Sequence, residues 1–299
     1  MEGRIMSYEQ FLEKVEQKLD ECVGEERHVY LRSVLKNNGH IRKGITFQEA
    51  GINISPTIYM EEYYARYLKT GDMEQIVQSI IDLYQQVRFR HSWEANYIRK
   101  YTNIKDKIIY QIVNRRDNRE LLQDVPYVPY LDLAIIFYVL VELEKNEERM
   151  ATMLIKKEHL EWWGIKESDL YCIAHENTER LLPYEFAAMS VVVGEIMGLE
   201  ELENTEDDIF ILTNSIRNYG AAAILYEHRL ERIAVYFKVN YYVLPSSVHE
   251  VIIIPESKVF SKHDLSLIVK EVNETQVQKE EILSDHAYYY DRHKKRLTL

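Results

Sequence analysis

The residues with the clearest capacity for chemistry lie late in the chain, in Leu244-Pro245-Ser246-Ser247-Val248-His249-Glu250. A serine attacks a substrate only when a neighbouring base takes its proton, so Ser246 and Ser247 beside His249 form a candidate nucleophile and base. Asp285, in Leu283-Ser284-Asp285-His286, is the acid that would orient such a histidine, as the acid of a catalytic triad does. Glu250 is a weaker partner. If 248–254 is a strand, successive side chains point to opposite faces, and His249 and Glu250 cannot act on one atom. The alternative for this stretch is a hairpin turn with a half-buried histidine, and for the Asp285 segment a turn leading into an edge strand.

A second group is basic. From Arg88 to Arg119 the chain carries nine bases, among them Arg88, Arg90, Arg99, Lys100, Arg115 and Arg116, against three acids. Phe89, Trp93, Tyr97 and Tyr101 lie among them. Bases interleaved with aromatics can hold an anion or a single nucleic-acid strand. The plainer reading is a solvated face paired with acids elsewhere in the fold. A third group is aromatic. The chain has 23 Tyr and only 8 Phe, and tyrosine suits half-buried and contact surfaces. Tyr288 and Tyr290 are expected to present rings to a partner. Of the adjacent indoles Trp162 and Trp163, one should be buried and the other should mark a contact.

These residues must be positioned by an alternation of helices and strands. Tyr8, Phe11, Leu12, Val15, Leu19 and Cys22 recur at helical spacing, and Val29–Leu35 with Ile41–Phe47 reads as a hairpin turning at Asn37-Asn38-Gly39. A short strand is expected at Ile52–Ile54. Ser55-Pro56 has the form of a helix start, and Asp72 caps a further helix with an apolar stripe from Met73 to Val87. The first 90 residues thus predict an α-β-β-α-α unit. Next come strands at Lys107–Val113 and Ala134–Val141, the latter apolar enough to be buried on both faces, and a partner at Met150–Ile155. Ser168 is read as capping a helix to Leu181. Leu199–Asp208, with six acids and no base, is the expected boundary. Beyond it lie strands at 209–212, 241–244, 248–254 and 287–290, and helices at 225–237 and after Ser261.

The expectation is an α+β fold of mixed sheets and packed helices, with units at 1–90, 91–199 and 208–299. The formal charge of -12 repels phosphate backbones and anionic membranes, which disfavours nucleic acid as the default partner. Glycine-rich phosphate loops, a GxSxG elbow and metal-binding His or Cys boxes are absent from the sequence, so no cofactor and no metal is implied. Two distant cysteines, Cys22 and Cys172, suit a reducing compartment. The N-terminus lacks an apolar signal core, and the longest apolar run falls far short of the ~20 residues that span a bilayer. A cytoplasmic location is expected.

The C-terminal third carries a resemblance. Phe210-Ile211-Leu212-Thr213-Asn214, Gly220-Ala221-Ala222-Ala223, Val243–Pro255, Val272–Val277 and Leu283–Arg292 resemble an uncharacterised bacterial family of domains of unknown function, known mostly from gut-type Gram-positive bacteria. Asn118–Val141 is similar to it too. The first α-β-β-α elements are more loosely similar to a second uncharacterised bacterial family. One departure is Asn177-Thr178-Glu179, where the family pattern has a proline. The resemblance implies one architecture through most of the chain and carries no reaction or catalytic residue. Two functions follow as expectations. The first is a non-catalytic module binding a protein. The alternative is a hydrolase-like enzyme on Ser246, Ser247, His249 and Asp285, or an anion contact through 88–119.

Overall fold

The computed structural model describes residues 6–24, 27–49, 55–88, 95–144, 149–198, 209–256 and 261–299. The expected strand at Ile52–Ile54, the acidic run Leu199–Asp208 and Arg90 lie outside these residues. The chain divides into two units, one of 1–36 with 40–100, the other of 37–39 with 101–299.

In the smaller unit, Ser7 accepts from the backbone of Gln10 while Gln10 reaches back to Ser7, and this capping box starts α1, Tyr8–Val23. Its stripe of Phe11, Leu12, Val15 and Leu19 is buried. β1 (Arg27–Leu35) and β2 (Ile41–Glu49) pair antiparallel. The Ser55-Pro56 pair does not start a helix. Thr57-Ile58-Tyr59 instead forms β3, paired with Gly44–Thr46 of β2, because a β-branched and aromatic triplet can bury Ile58 on the sheet face. Ser55 donates its hydroxyl to Phe47 rather than capping. α2 (Glu61–Thr70) follows and ends at Gly71 in the left-handed region, with φ 67°. α3 (Met73–Val87) is capped by Asp72, which accepts from Gln75 N–H at 3.0 Å. α4 covers Ala95–Arg99. Helix and sheet side chains meet in one core that includes Phe11, Leu19, Ile45, Phe47, Met60, Ile76 and Ile80.

The larger unit holds two antiparallel sheets. After α5 (Tyr101–Ile104) come β4 (Ile108–Asn114), α6 (Leu121–Asp124), β5 (Tyr127–Tyr130), β6 (Leu133–Glu144) and β7 (Arg149–Leu154). β6 is the central strand. β4 lies on one edge of it, and β5 and β7 follow each other along the other edge. Leu133 to Phe137 are all buried, as the apolar run requires. α7 (Lys157–Trp163) and α8 (Glu167–Leu181) come next. α8 begins one residue before Ser168, because the Asp169 carboxylate accepts from Lys166 N–H at 3.1 Å and closes the first turn there. It continues through Asn177-Thr178, where a proline would interrupt it. Both side chains serve β4. Asn177 donates to the carbonyls of Lys105 and Ile108, and Thr178 accepts from Tyr110 N–H at 3.0 Å.

The second sheet has six strands. β8 (Tyr184–Ala188), α9 (Met189–Met197), β9 (Phe210–Asn214), α10 (Arg229–Phe237), β10 (Tyr241–Leu244), β11 (Val251–Pro255), α11 (Lys262–Thr275), β12 (Tyr288–Asp291) and β13 (Arg296–Thr298) follow in chain order. The strand order is β13-β12-β10-β11-β9-β8, so β13 and β8 are its edges. β11 begins at Val251 rather than Val248, and β13 has no counterpart in the expected elements. The protein is an α+β fold. Among the described residues no helix is long and apolar enough to cross a membrane.

Candidate functional site

The serines and histidine of 246–249 come together, but not as a nucleophile and base. Ser246 and Ser247 are buried in a backbone seam with 281–284. Leu283 N–H donates to Ser246 O at 3.0 Å, and Val248 N–H donates to Glu281 O at 2.8 Å. Ser247 Oγ accepts from the backbone N–H of His249 at 3.0 Å. His249 lies in the bend before β11. Its Nδ1 accepts from Tyr219 N–H at 3.3 Å, so the neutral ring carries its proton on Nε2, which lies 3.6 Å from Glu281 Oε1. Among the described residues neither serine hydroxyl is hydrogen-bonded to the His249 ring. Asp285 does not orient His249, because its carboxylate accepts from Asn273 of α11 at 2.9 Å. Among the described residues no group of three His, Cys, Asp or Glu is placed to hold a metal ion.

The expectation that Tyr288 and Tyr290 face solvent is corrected. Both are buried, because β12 lies between β10 and β13 and their shared face is turned into the core. The Tyr290 ring stacks on Tyr241 at 4.8 Å. Tyr289, on the opposite face, is the partly exposed ring of the three. At the end of α7, Trp163 is buried and Trp162 is 46% exposed. His159 lies against both indoles, and burial lowers its pKa.

The basic stretch is divided by the fold. In the smaller unit Arg88 pairs with Glu49 at 3.3 Å, while Arg99 and Lys100 are exposed. In the larger unit Arg115, Arg116 and Arg119 lie on the turn between β4 and α6. With Leu122, Gln123, Tyr127 and Asp132 they line a cavity of about 490 Å³. None of the three guanidinium groups has a carboxylate partner among the described residues. Asp117 and Glu120 share the turn but do not line the cavity.

The turn is held by short polar side chains. Asn114 Oδ1 accepts from Arg116 N–H at 2.9 Å and Asp117 N–H at 3.0 Å, an Asx turn at the end of β4. Asn118 is buried, and its amide nitrogen donates to Asn114 O at 2.7 Å, to Asn37 at 2.7 Å and to Asn38 at 3.0 Å. Arg115 N–H donates to Asp132 O at 3.0 Å.

Asp132, the acid of the cavity wall, is already engaged. Ser284 Oγ donates to it at 2.6 Å, and the Tyr288 hydroxyl donates to its other oxygen. Two hydroxyl donors thus meet this carboxylate, one on each oxygen. Tyr288 therefore acts as a prop beneath the cavity. Asn114, Tyr127 and Asp132 were not singled out from the sequence, and Arg119 was read only as the end of the basic stretch. The Asn-Arg-Arg-Asp-Asn-Arg run was the available signal, since Asn spaced around a turn marks side-chain to backbone bonding.

No curated protein matches the chain, and no solved structure does. A family model does match, over residues 8–292, and it spans both units described above. The chain belongs to that family, a family of unknown function designated DUF5688.

Proposed function

We propose that this chain is a non-catalytic binding protein whose larger unit takes up a small, multiply charged anion of the phosphate type between Arg115, Arg116 and Arg119. The carrying observation is three guanidinium groups without carboxylate partners around one cavity, in a chain of net charge -12. Arginine's planar fork matches phosphate oxygens two at a time. The asparagine-braced turn removes much of the ordering cost that flexible cations would incur on binding. A cavity of about 490 Å³ suits a compact ligand. The overall negative charge works against a long nucleic-acid strand. The unpaired thiols of Cys22 and Cys172 favour a reducing, cytoplasmic setting. Ser247 Oγ meets the backbone of His249 rather than its ring, which weighs against the hydrolase alternative.

Titration calorimetry with inorganic tripolyphosphate tests this. Saturable binding is expected, weakening as sodium chloride rises because the charges lie near solvent. Arg116→Ala and Arg119→Ala should each weaken it about tenfold or more, since hydrogen bonds to charged groups contribute roughly 1.5–3 kcal/mol. No heat at millimolar ligand, or heat unaffected by both substitutions, would remove the proposal.

A further inference from the structure

A second surface lies at the opposite end of the six-stranded sheet from β13. Among the described residues β8 pairs on one side only, with β9. Met189 N–H donates to Ile209 O, and Ser215 N–H to Pro183 O, which sets the odd-numbered residues of β8 to bond inward. The backbone N–H and C=O of Tyr184 and Phe186, and the N–H of Ala188, therefore point away from the sheet. Edge strands are commonly protected by lysine, proline or a bulge. Tyr184-Glu185-Phe186-Ala187-Ala188 has none of these, and its one charge, Glu185, is paired with Arg217 at 3.1 Å.

A groove runs along this edge. Tyr184, Phe186, Phe210 and Tyr236 line it together with Arg229 and Arg232 of α10, and it encloses about 390 Å³. Phe186 stacks on Phe210 at 5.3 Å, and Tyr236 meets both rings edge-on. Tyr236 is nevertheless 65% exposed. Arg229 is buried against the Tyr184 ring. One of its terminal nitrogens meets Glu179 at 3.1 Å, while its Nε has no hydrogen-bond partner among the described residues. Arg232 is exposed and has no carboxylate partner among the described residues.

We propose that β8 is a docking edge for an extended peptide segment of a partner protein, one whose every second residue, on a single face, is apolar or a carboxylate. The peptide backbone would continue the sheet, its apolar side chains would enter the aromatic groove, and its acid would meet Arg232. Charge decides between this occupant and a second copy of the chain. On the groove face β8 itself presents Tyr184, Phe186 and Ala188, with no acid. Self-pairing would therefore leave Arg232 without an anion, whereas an acidic peptide supplies one.

The test is panning of a random-peptide phage library on the full chain, followed by fluorescence anisotropy with the enriched sequence as a labelled synthetic peptide. Two variants are informative. Ala188→Pro removes an outward N–H at a residue whose φ of -64° already suits proline. Arg232→Glu reverses the exposed charge. Each should weaken binding about tenfold, the scale of one hydrogen bond or ion pair at an interface. Replacing the peptide's acid by its amide should do the same in the unaltered protein, and this measurement stands even if Ala188→Pro fails to fold. The proposal is overturned by enriched peptides lacking an acid, by binding that none of these changes affects, or by a failure to enrich. A concentration-dependent dimer abolished by Ala188→Pro would also overturn it, in favour of self-pairing.

Discussion

Tyr288 shows how much one hydroxyl can organise. Its ring is fully buried in β12, and its oxygen donates to Asp132, the acid in the wall of the arginine cavity. Burial beside that carboxylate raises the pKa of Tyr288, so the hydroxyl stays a donor at any ordinary pH. Tyr288→Phe keeps the ring and removes the donor. The expected cost is about 1.5–3 kcal/mol, the scale for a hydrogen bond to a charged group. It should appear as a lower urea midpoint at unchanged slope. Tripolyphosphate affinity should fall as well, because an under-satisfied Asp132 competes for the arginines. A loss under about 0.5 kcal/mol would show that Asp132 does not depend on this donor.

Glu250 gives a prediction of opposite sign. Burial beside a cavity lined by Ile211, Thr213 and Ile252 raises its pKa above the ordinary 4.5, and His249 and Ser247 only partly offset this. A carboxyl with a raised folded-state pKa is most favourable to folding below about pH 4.5. That contribution is lost as pH rises through the higher folded value. Glu250→Gln is uncharged throughout. It should therefore melt higher than the parent near neutral pH and converge with it at low pH in a scanning-calorimetry pH series. A constant offset at all pH values would assign the effect to packing instead.

At the scale of elements, the 3-10 turn at Gly220–Leu225 is the tightest joint. A Cβ at Gly220 would collide with the Thr213 hydroxyl, and would lie 2.5 Å from Asn214 N and 2.7 Å from His249 O. Two of these neighbours are backbone atoms of separate segments, so they cannot swing aside. Gly220→Ala should cost about 3 kcal/mol, the upper end of the usual range for overpacking, measurable by urea denaturation. A near-neutral result would show that β9 and the bend before β11 can move apart. Other elements were legible locally. Asp72 carries its own capping chemistry, and α1 and α3 carry helical stripes. The elements that were misread are those decided by distant partners. β3 displaced a helix start because β2 offered it an edge and a core position for Ile58. β13, a strand of Arg296–Thr298, is too short to announce itself and exists through pairing with β12.

Over the whole molecule, negative charge predominates, yet arginines without a carboxylate partner among the described residues line two cavities in the larger unit. One is the asparagine-braced turn after β4, the other the groove beside β8. The two proposed surfaces offer fixed geometry rather than reactive groups, and the residues that line them belong to the larger unit. Their independence can be checked: Arg116→Ala addresses the first, and Arg232→Glu the second.

Composition and periodicity were enough to establish an α+β fold, the hairpin and the buried central strand, because each depends on neighbours within a few residues. The tertiary structure decided which of the marked residues meet. Asp285 turns to Asn273 and His249 to Glu281 because strand pairing at 281–284 sets their positions. Tyr288 is buried because β12 was claimed on both edges, and an alternating pattern does not say which face becomes core. The arginine cavity brings residues 115–132 over Ser284 and Tyr288, more than 150 positions along the chain. No local spacing encodes that distance, because it is closed only when the sheets pack.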